Sequence, residues 1–385
     1  MTREIYLDNS ATTRPFPEVV ETMTEVLTEY YGNPSSLHRK GMESEEKVDR
    51  VREDIAKTLR GKPAEIIFAS GGTEANNLAI QGVARRYKNR GTHIITSSVE
   101  HSSVLDVMKF LEGEGFRVTY LPVDENGRVS VADVEQALTD QTVLVSIMYV
   151  NNETGSIQPI QQIGQLLSSR PKTLFHVDAV QAYGKIPLRV KEGKVDLLSI
   201  SAHKLHGPKG IGALYAREGI DLVPLVYGGG QEKGKRSGTE NVPGIVGFGA
   251  AVRKVFPQLE ANRSRMQALR DLLITSIRDS IPEIRVNTPA ENAAPHIVNV
   301  SFPGVKGEVL VHALETEGVY VTTGSACSSR EKKYSHVLKA MGLTEKELDG
   351  AIRLSLSSET GETDIHEAVR LLARIVGELR LLTRR

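Results

Sequence analysis

Three stretches of the chain hold residue types that suit chemistry on a small anionic ligand. The first is Ser201-Ala202-His203-Lys204-Leu205-His206-Gly207-Pro208-Lys209-Gly210, directly behind the apolar run Leu197–Ile200. A lysine just off an apolar strand, flanked by hydroxyl and imidazole groups, is desolvated. Desolvation lowers an amine's pKa, as an amine that attacks a carbonyl requires. The plain alternative for Lys204 is a lysine whose stem lies on apolar surface while its ammonium reaches water. The second is Asp178, which ends the run Leu174–Val177. A carboxylate there is costly unless it meets a cation or donors, although an aspartate that only caps a turn would look the same. The third is Ser70-Gly71-Gly72-Thr73-Glu74-Ala75, between the run Ile66–Ala69 and a helical pattern. Glycines allow close backbone approach, and free N–H groups at a helix start suit a phosphate. An ordinary strand–turn–helix with Thr73 as N-cap would carry the same residues.

Two other candidates fail on their own terms. Gly229 through Arg236 (GGQEKGKR) nearly matches a nucleotide-binding P-loop, but Arg236 stands where Ser or Thr is required, and Ser237-Gly238-Thr239 follows instead of a helix. His203 and His206 lack the spacing of a zinc-binding helix, and no further ligand cluster accompanies them. No resident metal is expected.

All three reactive stretches follow apolar runs, so the elements that carry them matter. Helical periodicity covers Glu18–Tyr30, with Val20, Met23, Leu27 and Tyr30 on one face, and Glu43–Arg60, with Val48, Val51, Ile55 and Leu59. Strand candidates are Glu65–Ala69, His93–Ser97, Arg117–Leu121, Val143–Met148, Leu174–Asp178, Val195–Ile200 and Gly212–Ala216. Amphipathic helices separate most of them, which predicts a largely parallel α/β sheet covered on both faces. Ligands in such sheets sit at the carboxyl ends of strands, where the three stretches fall. Beyond Pro257 a helix over Gln258–Arg278 leads to strands near His296–Phe302, Val319–Thr323 and Ala351–Ser357. A last helix follows, with Ile365, Ala368, Leu372, Ile375 and Leu379 on one face. This reads as a smaller α+β domain. The expected division is an N-terminal arm (1–14), a large domain (15–257) and a small domain (258–385).

Composition narrows the class of partner. Lys+Arg and Asp+Glu both number 48, so no global field draws the chain to nucleic acid or to an anionic membrane. No apolar stretch approaches the roughly 20 residues that span a bilayer, and the N-terminus is too charged for a signal peptide. The one cysteine, Cys327, excludes an internal disulfide and a cysteine-built metal site, and a reducing cytoplasm is the expected location.

In order, the motifs resemble the cysteine desulfurases, pyridoxal-phosphate (PLP) enzymes of the class-V aminotransferase type, over almost the whole chain. The likeness is carried by YLDNSATT (Tyr6–Thr13), GNPSS (Gly32–Ser36), SGGTEANNLAI (Ser70–Ile80), EHSSVL (Glu100–Leu105) and NNETGSIQPI (Asn151–Ile160). It continues in HVDAVQ (His176–Gln181), SAHKLHGPKGIGALY (Ser201–Tyr215), GGGQE (Gly228–Glu232), RSGTENVPGIVG (Arg236–Gly247), GSACSS (Gly324–Ser329) and IRLSLS (Ile352–Ser357).

The resemblance implies an aspartate-aminotransferase-like fold and a role for each matching residue. Lys204 looks like the Schiff-base lysine and the base that moves the substrate α-proton. Asp178 would pair with the pyridine nitrogen, Gln181 and Asn152 with the ring hydroxyl region. His101 would stack on the ring and act as an acid–base group. Gly72, Thr73, Ser201 and His203 would hold the phosphate. Thr239 would reach the phosphate of a second copy, which implies a homodimer. Arg353 would pair with the substrate carboxylate, with Asn33 a further candidate in that pocket and Asn152 close to the substrate.

Cys327 separates this reaction from others on the same scaffold. Attack on a cysteine sulfur needs a soft nucleophile in its thiolate form. The surrounding Gly324, Ser325, Ser328 and Ser329, followed by Arg330, Lys332 and Lys333, read as an exposed tether beside positive charge rather than a buried small hydrophobe. The Ser-Ala-Cys-Ser-Ser form resembles the branch with a longer mobile cysteine loop, whose cysteine travels to a partner protein. The expected activity converts L-cysteine to L-alanine, leaves a persulfide on Cys327, and supplies a sulfur acceptor or iron–sulfur scaffold protein, with transient contact between Cys327 and a cluster. The chain ends at Leu381-Leu382-Thr383-Arg384-Arg385, without the extended tail that housekeeping members use on their scaffold, so docking in that style is not expected. The rival readings are a selenocysteine lyase or another PLP-dependent β-elimination, and a non-catalytic scaffold.

Overall fold

The computed structural model describes residues 4–324 and 334–383. The chain enters with a two-residue strand β1 (Ile5–Tyr6) and two helices, α1 (Pro17–Glu29) and α2 (Arg39–Thr58). Strands and helices then alternate: β2 (Ile66–Ala69), α3 (Gly72–Arg86), β3 (His93–Ser97), α4 (Ser102–Gly113), β4 (Arg117–Leu121), α5 (Val131–Ala137), β5 (Thr142–Met148), α6 (Ile160–Leu167) and β6 (Leu174–Asp178). After β7 (Leu197–Ser201) and β8 (Gly212–Ala216) come α7 (Val242–Val255) and α8 (Leu259–Ser280). The remainder is β9 (Arg285–Val286), β10 (Ile297–Ser301), α9 (Gly307–Thr316), β11 (Val319–Tyr320), α10 (His336–Ala340), α11 (Glu345–Asp349), β12 (Ala351–Ser355) and α12 (Glu362–Thr383).

The main sheet has seven strands in the order β2-β8-β7-β6-β5-β3-β4. The ladders from β7 through β6, β5 and β3 to β4 are parallel, and β8 runs antiparallel to both its neighbours. Alternate residues of each strand feed cores on opposite faces, as strand pleating requires. Ile95, Val145, Phe175 and Val177 join α1, α2 and α7 on one face. Ile94, Leu144 and Leu174 join α3 and α4 on the other. Gly212 is required where β8 passes the turn before α3, because a Cβ there would lie 2.5 Å from the Ile200 carbonyl oxygen and 2.8 Å from Gly71 backbone.

A second core gathers α8, α9 and α12 on a three-stranded antiparallel sheet, β12-β10-β9. Ile365, Ala368, Leu372 and Ile375 of α12 are buried in it, on the face expected from their spacing. The N-terminal arm also ends here. β1 pairs in parallel with β11, and Ile5 and Leu7 are buried in the second core.

Some expectations shift. The buried stripe of α1 is Val19 and Val26, with Met23 and Tyr30 half-buried, whereas Val20 and Leu27 are exposed. Both sets fit a helical period, and packing against α7 selects the first. Glu65 belongs to a one-turn 3₁₀ helix ahead of β2, and β7 begins at Leu197 instead of Val195. The N-cap of α3 is Gly71, not Thr73, which lies inside the helix.

The loop that leads into α7 is tied down by charge. The Arg52 guanidinium donates to both Glu232 carboxylate oxygens, at 2.8 and 2.9 Å, and the same carboxylate accepts the Phe68 N–H of edge strand β2 at 3.0 Å. Glu232 and Lys233 both have positive φ, 48° and 57°, a conformation costly for residues with a Cβ. Farther along the loop, Arg236 donates to Glu74 of α3 at 2.8 Å.

Candidate active site

The carboxyl ends of β5, β6 and β7 open into a pocket of about 370 Å³, walled on its far side by the N-terminal arm and β12. Asp178 ends β6. Its Oδ1 accepts the Val180 N–H at 3.0 Å and its Oδ2 accepts from Asn76 Nδ2 at 2.8 Å, which answers the cost of placing a carboxylate there. Each oxygen keeps accepting capacity for a ligand.

Lys204 ends the one-turn helix after β7, half-buried, and its Nζ donates to the backbone oxygens of Ser10 (2.6 Å) and Ala11 (2.7 Å). Ser10 also accepts from Gln181 Nε2 at 2.9 Å, while Gln181 Oε1 lies 3.4 Å from His296 Nε2. His203 Nδ1 lies 3.2 Å from Thr12 Oγ1, and burial, with Lys204 and Lys209 nearby, pulls its pKa down to about 4.

At the start of α3, Gly72 and Thr73 line the pocket beside Ser201, whose hydroxyl oxygen is buried without a hydrogen-bond partner among the described residues. A Cβ on Gly72 would come within 2.6 Å of Val180 Cγ2. A fifteen-residue helix start and an orphaned hydroxyl form a cradle for a phosphate.

His101 is the N-cap of α4. Its Nδ1 lies 2.8 Å from Ser103 Oγ and accepts the Ser103 N–H at 3.1 Å. Burial lowers its pKa below the ordinary imidazole value; Asp178 opposes this, while Lys204 and His336 add to it.

Arg353, on β12, is almost completely buried. Its Nη2 donates to Asp8 Oδ1 at 2.8 Å and its Nη1 to the Asn152 carbonyl oxygen at 2.9 Å, while Nε is left without a partner among the described residues. A guanidinium on this wall with an unused N–H can receive a carboxylate.

The donor set fits PLP: a phosphate cradle at the start of α3, the Asp178 carboxylate and the Lys204 amine line one pocket. The structure brings together Gly72, Thr73, His101, Asn152, Asp178, Gln181, Ser201, His203, Lys204 and Arg353. Asn33 and Thr239 lie apart from them. Both are exposed and neither lines this pocket in its own chain; Asn33 instead accepts the Ser35 N–H at 2.9 Å in a local turn. Cys327 lies outside the described residues, although Gly324, ahead of it in sequence, lines the pocket.

Sequence reasoning missed Asp8, Ser10, Asn76 and Ser103, which also line the pocket. Their signal was their position inside the stretches YLDNSATT, SGGTEANN and EHSS. It also missed two buried carboxyls. Glu100 accepts from Ser97 Oγ at 2.6 Å and from the Met148 N–H at 2.9 Å through Oε1, and burial raises its pKa to about 8. Glu153 accepts from Ser335 Oγ at 2.5 Å, and its pKa is also raised by burial.

Known proteins share the sequence and the fold. The family described as aminotransferase class-V matches residues 5–367. A cysteine desulfurase IscS of Clostridium botulinum is 45% identical over 382 residues, covering 99% of this chain and 96% of the relative. A cysteine desulfurase IscS of Dictyoglomus turgidum is 46% identical, covering 100% and 97%. Among solved structures, a NifS-like protein superposes with TM-score 0.92 at 40% identity, covering 98% of this chain and 100% of that one. A protein described as SspA in complex with cysteine superposes with TM-score 0.83 at 37% identity, covering 93% and 100%.

Proposed function

The chain belongs to the class-V aminotransferase family and is a PLP-dependent cysteine desulfurase, and from that premise we propose how its own residues divide the work. The reading rests on one observation: Lys204, Asp178, His101 and Arg353 converge on a single pocket that Gly324 also lines.

When bound, PLP withdraws electrons from the substrate Cα, which acidifies the Cα–H bond and weakens the bond to sulfur. Gly72, Thr73, Ser201 and His203 hold its phosphate. Asp178, fixed by two donors, would accept a hydrogen bond from the ring nitrogen and keep that nitrogen protonated. Gln181, which keeps one amide hydrogen on the Ser10 carbonyl oxygen, would offer the other to the ring hydroxyl region, as would Asn152. Lys204 Nζ would hold the cofactor and move the substrate α-proton, and His101 would stack on the ring and supply an acid–base group. Arg353 takes the substrate carboxylate.

The Cys327 thiolate attacks the substrate sulfur. The carbon–sulfur bond breaks, a sulfur–sulfur bond forms, and the carbon gains hydrogen to give alanine. Sulfur is oxidised as carbon is reduced, so no external oxidant is needed. The persulfide supplies iron–sulfur cluster assembly or a related transfer, through an acceptor or scaffold protein, with Cys327 touching a cluster only in passing.

The working unit is a homodimer in the cytoplasm. Thr239, exposed on its own chain, is available to a second copy's phosphate, and Leu37 (96% exposed), Tyr227 (75%) and Tyr31 (71%) offer apolar surface to cover. Asn33, also exposed, serves the substrate pocket only through such a partner. No described helix is long and apolar enough to cross a membrane. The separate cores favour division into an arm (1–14), a large domain (15–257) and a small domain (258–385).

Cys327→Ala tests the reaction. We expect it to keep the yellow cofactor and lose alanine formation from cysteine. Near wild-type turnover of cysteine would overturn the persulfide route.

A further inference from the structure

A continuous chain of hydrogen bonds runs from Asp178 to His101 through the side chains of Asn76 and Ser103. Asn76 Nδ2 lies 2.8 Å from Asp178 Oδ2 and 2.9 Å from Ser103 Oγ, and Ser103 Oγ lies 2.8 Å from His101 Nδ1. Asn76 is 1% exposed and Ser103 8%. The chain has a direction. An ionised carboxylate only accepts, so the amide nitrogen of Asn76 must face Asp178. The same NH₂ group has a second hydrogen, which goes to Ser103 Oγ. With Oγ accepting there, the Ser103 O–H turns to His101 Nδ1. The Ser103 backbone N–H points at the same nitrogen, at 3.1 Å, and cannot rotate away.

We infer that Asn76 and Ser103 are positioning residues that lock His101 as the neutral tautomer carrying its proton on Nε2, and that they tie this choice to the Asp178 carboxylate. The inference deepens the reading of the pocket as the PLP site, since it says in which form His101 meets the ring. Nδ1 accepts two hydrogen bonds, so a proton placed there would face the amide N–H head-on. His101 therefore meets the pocket as a neutral ring that offers the Nε2–H as a hydrogen-bond donor. The position of the ring follows from local structure as well: as N-cap of α4, His101 must offer an acceptor to the second residue of the helix, and Nδ1 is the acceptor within reach.

The charged and titratable groups around His101 are Asp178 at the end of β6, Lys204 after β7, His336 on α10 and Asp106 on α4. Burial, Lys204 and His336 favour the neutral ring, whereas Asp178 and Asp106 favour the cation. Ser103 is a neutral contact whose hydroxyl can be removed without altering any of these charges.

The test measures the titration midpoint of His101 in the full-length protein, with and without PLP, from hydrogen–deuterium exchange at the imidazole C2 position read by mass spectrometry. The other nine of the ten histidines serve as internal controls. Ser103→Ala should raise the His101 midpoint toward the ordinary imidazole range, because it removes a donor that only the neutral ring can accept. Asn76→Ala should move it the same way, since the Ser103 hydroxyl is then free to turn. Ser103→Thr, which keeps the hydroxyl, should restore the wild-type midpoint. A Ser103→Ala midpoint equal to wild type, or a Ser103→Thr midpoint displaced as far as that of Ser103→Ala, overturns the inference. An Asn76→Ala midpoint that stays put removes Asp178 from the relay and overturns that half. The cofactor-free titration does not depend on turnover, so its failure leaves the desulfurase reading to be judged by alanine formation alone.

Discussion

The Asp8 carboxylate and the Arg353 guanidinium meet at 2.8 Å where the N-terminal arm crosses β12, with the arginine 5% exposed and the aspartate 21%. The residue proposed to receive the substrate carboxylate therefore already holds one. A substrate must take the unused Nε–H or share the fork with Asp8. Arg353→Ala should raise KM for cysteine and lower kcat/KM about tenfold to hundredfold, the loss expected for a charge-assisted hydrogen bond. Asp8→Asn, which removes a competing anion and keeps the shape, should lower KM. Steady-state alanine formation measures both, and an unchanged KM in Arg353→Ala would assign the carboxylate elsewhere.

Lys204 donates two short hydrogen bonds to the neutral backbone oxygens of Ser10 and Ala11. Both of these acceptors are uncharged, so Lys204→Ala should still fold. After borohydride reduction, peptide mapping should find a pyridoxyl label on Lys204 in wild type and none in the variant. A label on any other lysine of the wild-type chain would contradict the assignment.

The buried carboxyl of Glu100 gives stability a defined pH slope. Its pKa rises from 4.5 to about 8 on folding because burial disfavours the charged form. Between those values the folded chain keeps a proton that the unfolded chain has released. Stability should therefore fall as pH rises through that window and level off above it. Glu100→Gln preserves an acceptor for Ser97 and Met148 and removes the slope. Urea unfolding should show the variant near wild type in mild acid and more stable above about pH 8.

His93 and His203 slope the other way. Burial lowers both from 6.5 to about 4. As pH falls through that window the unfolded chain binds protons that the folded chain refuses, so stability is lost on acidification and levels off below it. The same urea series, extended into acid, reads this slope, and His93→Gln should flatten part of it.

Glu232 holds a strained loop by a bidentate pair with Arg52 and a bond to the β2 edge. Its side chain is only 4% exposed. Glu232→Ala leaves the largely buried Arg52 without its main partner and should cost about 3–5 kcal/mol in denaturant unfolding. A loss below about 1 kcal/mol would place this pair with ordinary surface ion pairs.

Much of this site was legible because its residues follow apolar runs. Asp178, Lys204 and the Gly72-Thr73 turn were found by asking what stands after each strand, and the sheet puts all three on one edge. The direction of β8 was not legible, since an apolar run of that length reads alike in either orientation. Nor was β1, two residues long, which exists only through pairing with β11, the shorter form of the strand expected near Val319–Thr323. Asp8 and Ser10 were hidden for the same reason: nothing near them in sequence says that they face Arg353 and Lys204. Thr239 and Asn33 show a different limit, because their proposed tasks belong to a second copy and no single-chain geometry brings them to the pocket. The one-residue slip in α1, where Val19 and Val26 are buried in place of Val20 and Leu27, arose because two adjacent stripes share a period and only contact with α7 separates them.

The arm that closes the pocket is made well before the strand on which it finds its place. Ser10 donates its N–H to Ser355 Oγ, and Asp8 waits for Arg353, each contact spanning 345 residues. Closing so long a loop is slow compared with local pairing. During synthesis on the ribosome the sheet and its strand-end residues can assemble while Ser10 and Ala11 still lack the wall they lean on. The wall of the pocket is therefore completed only after β12 has been made, long after the strand ends that it closes over.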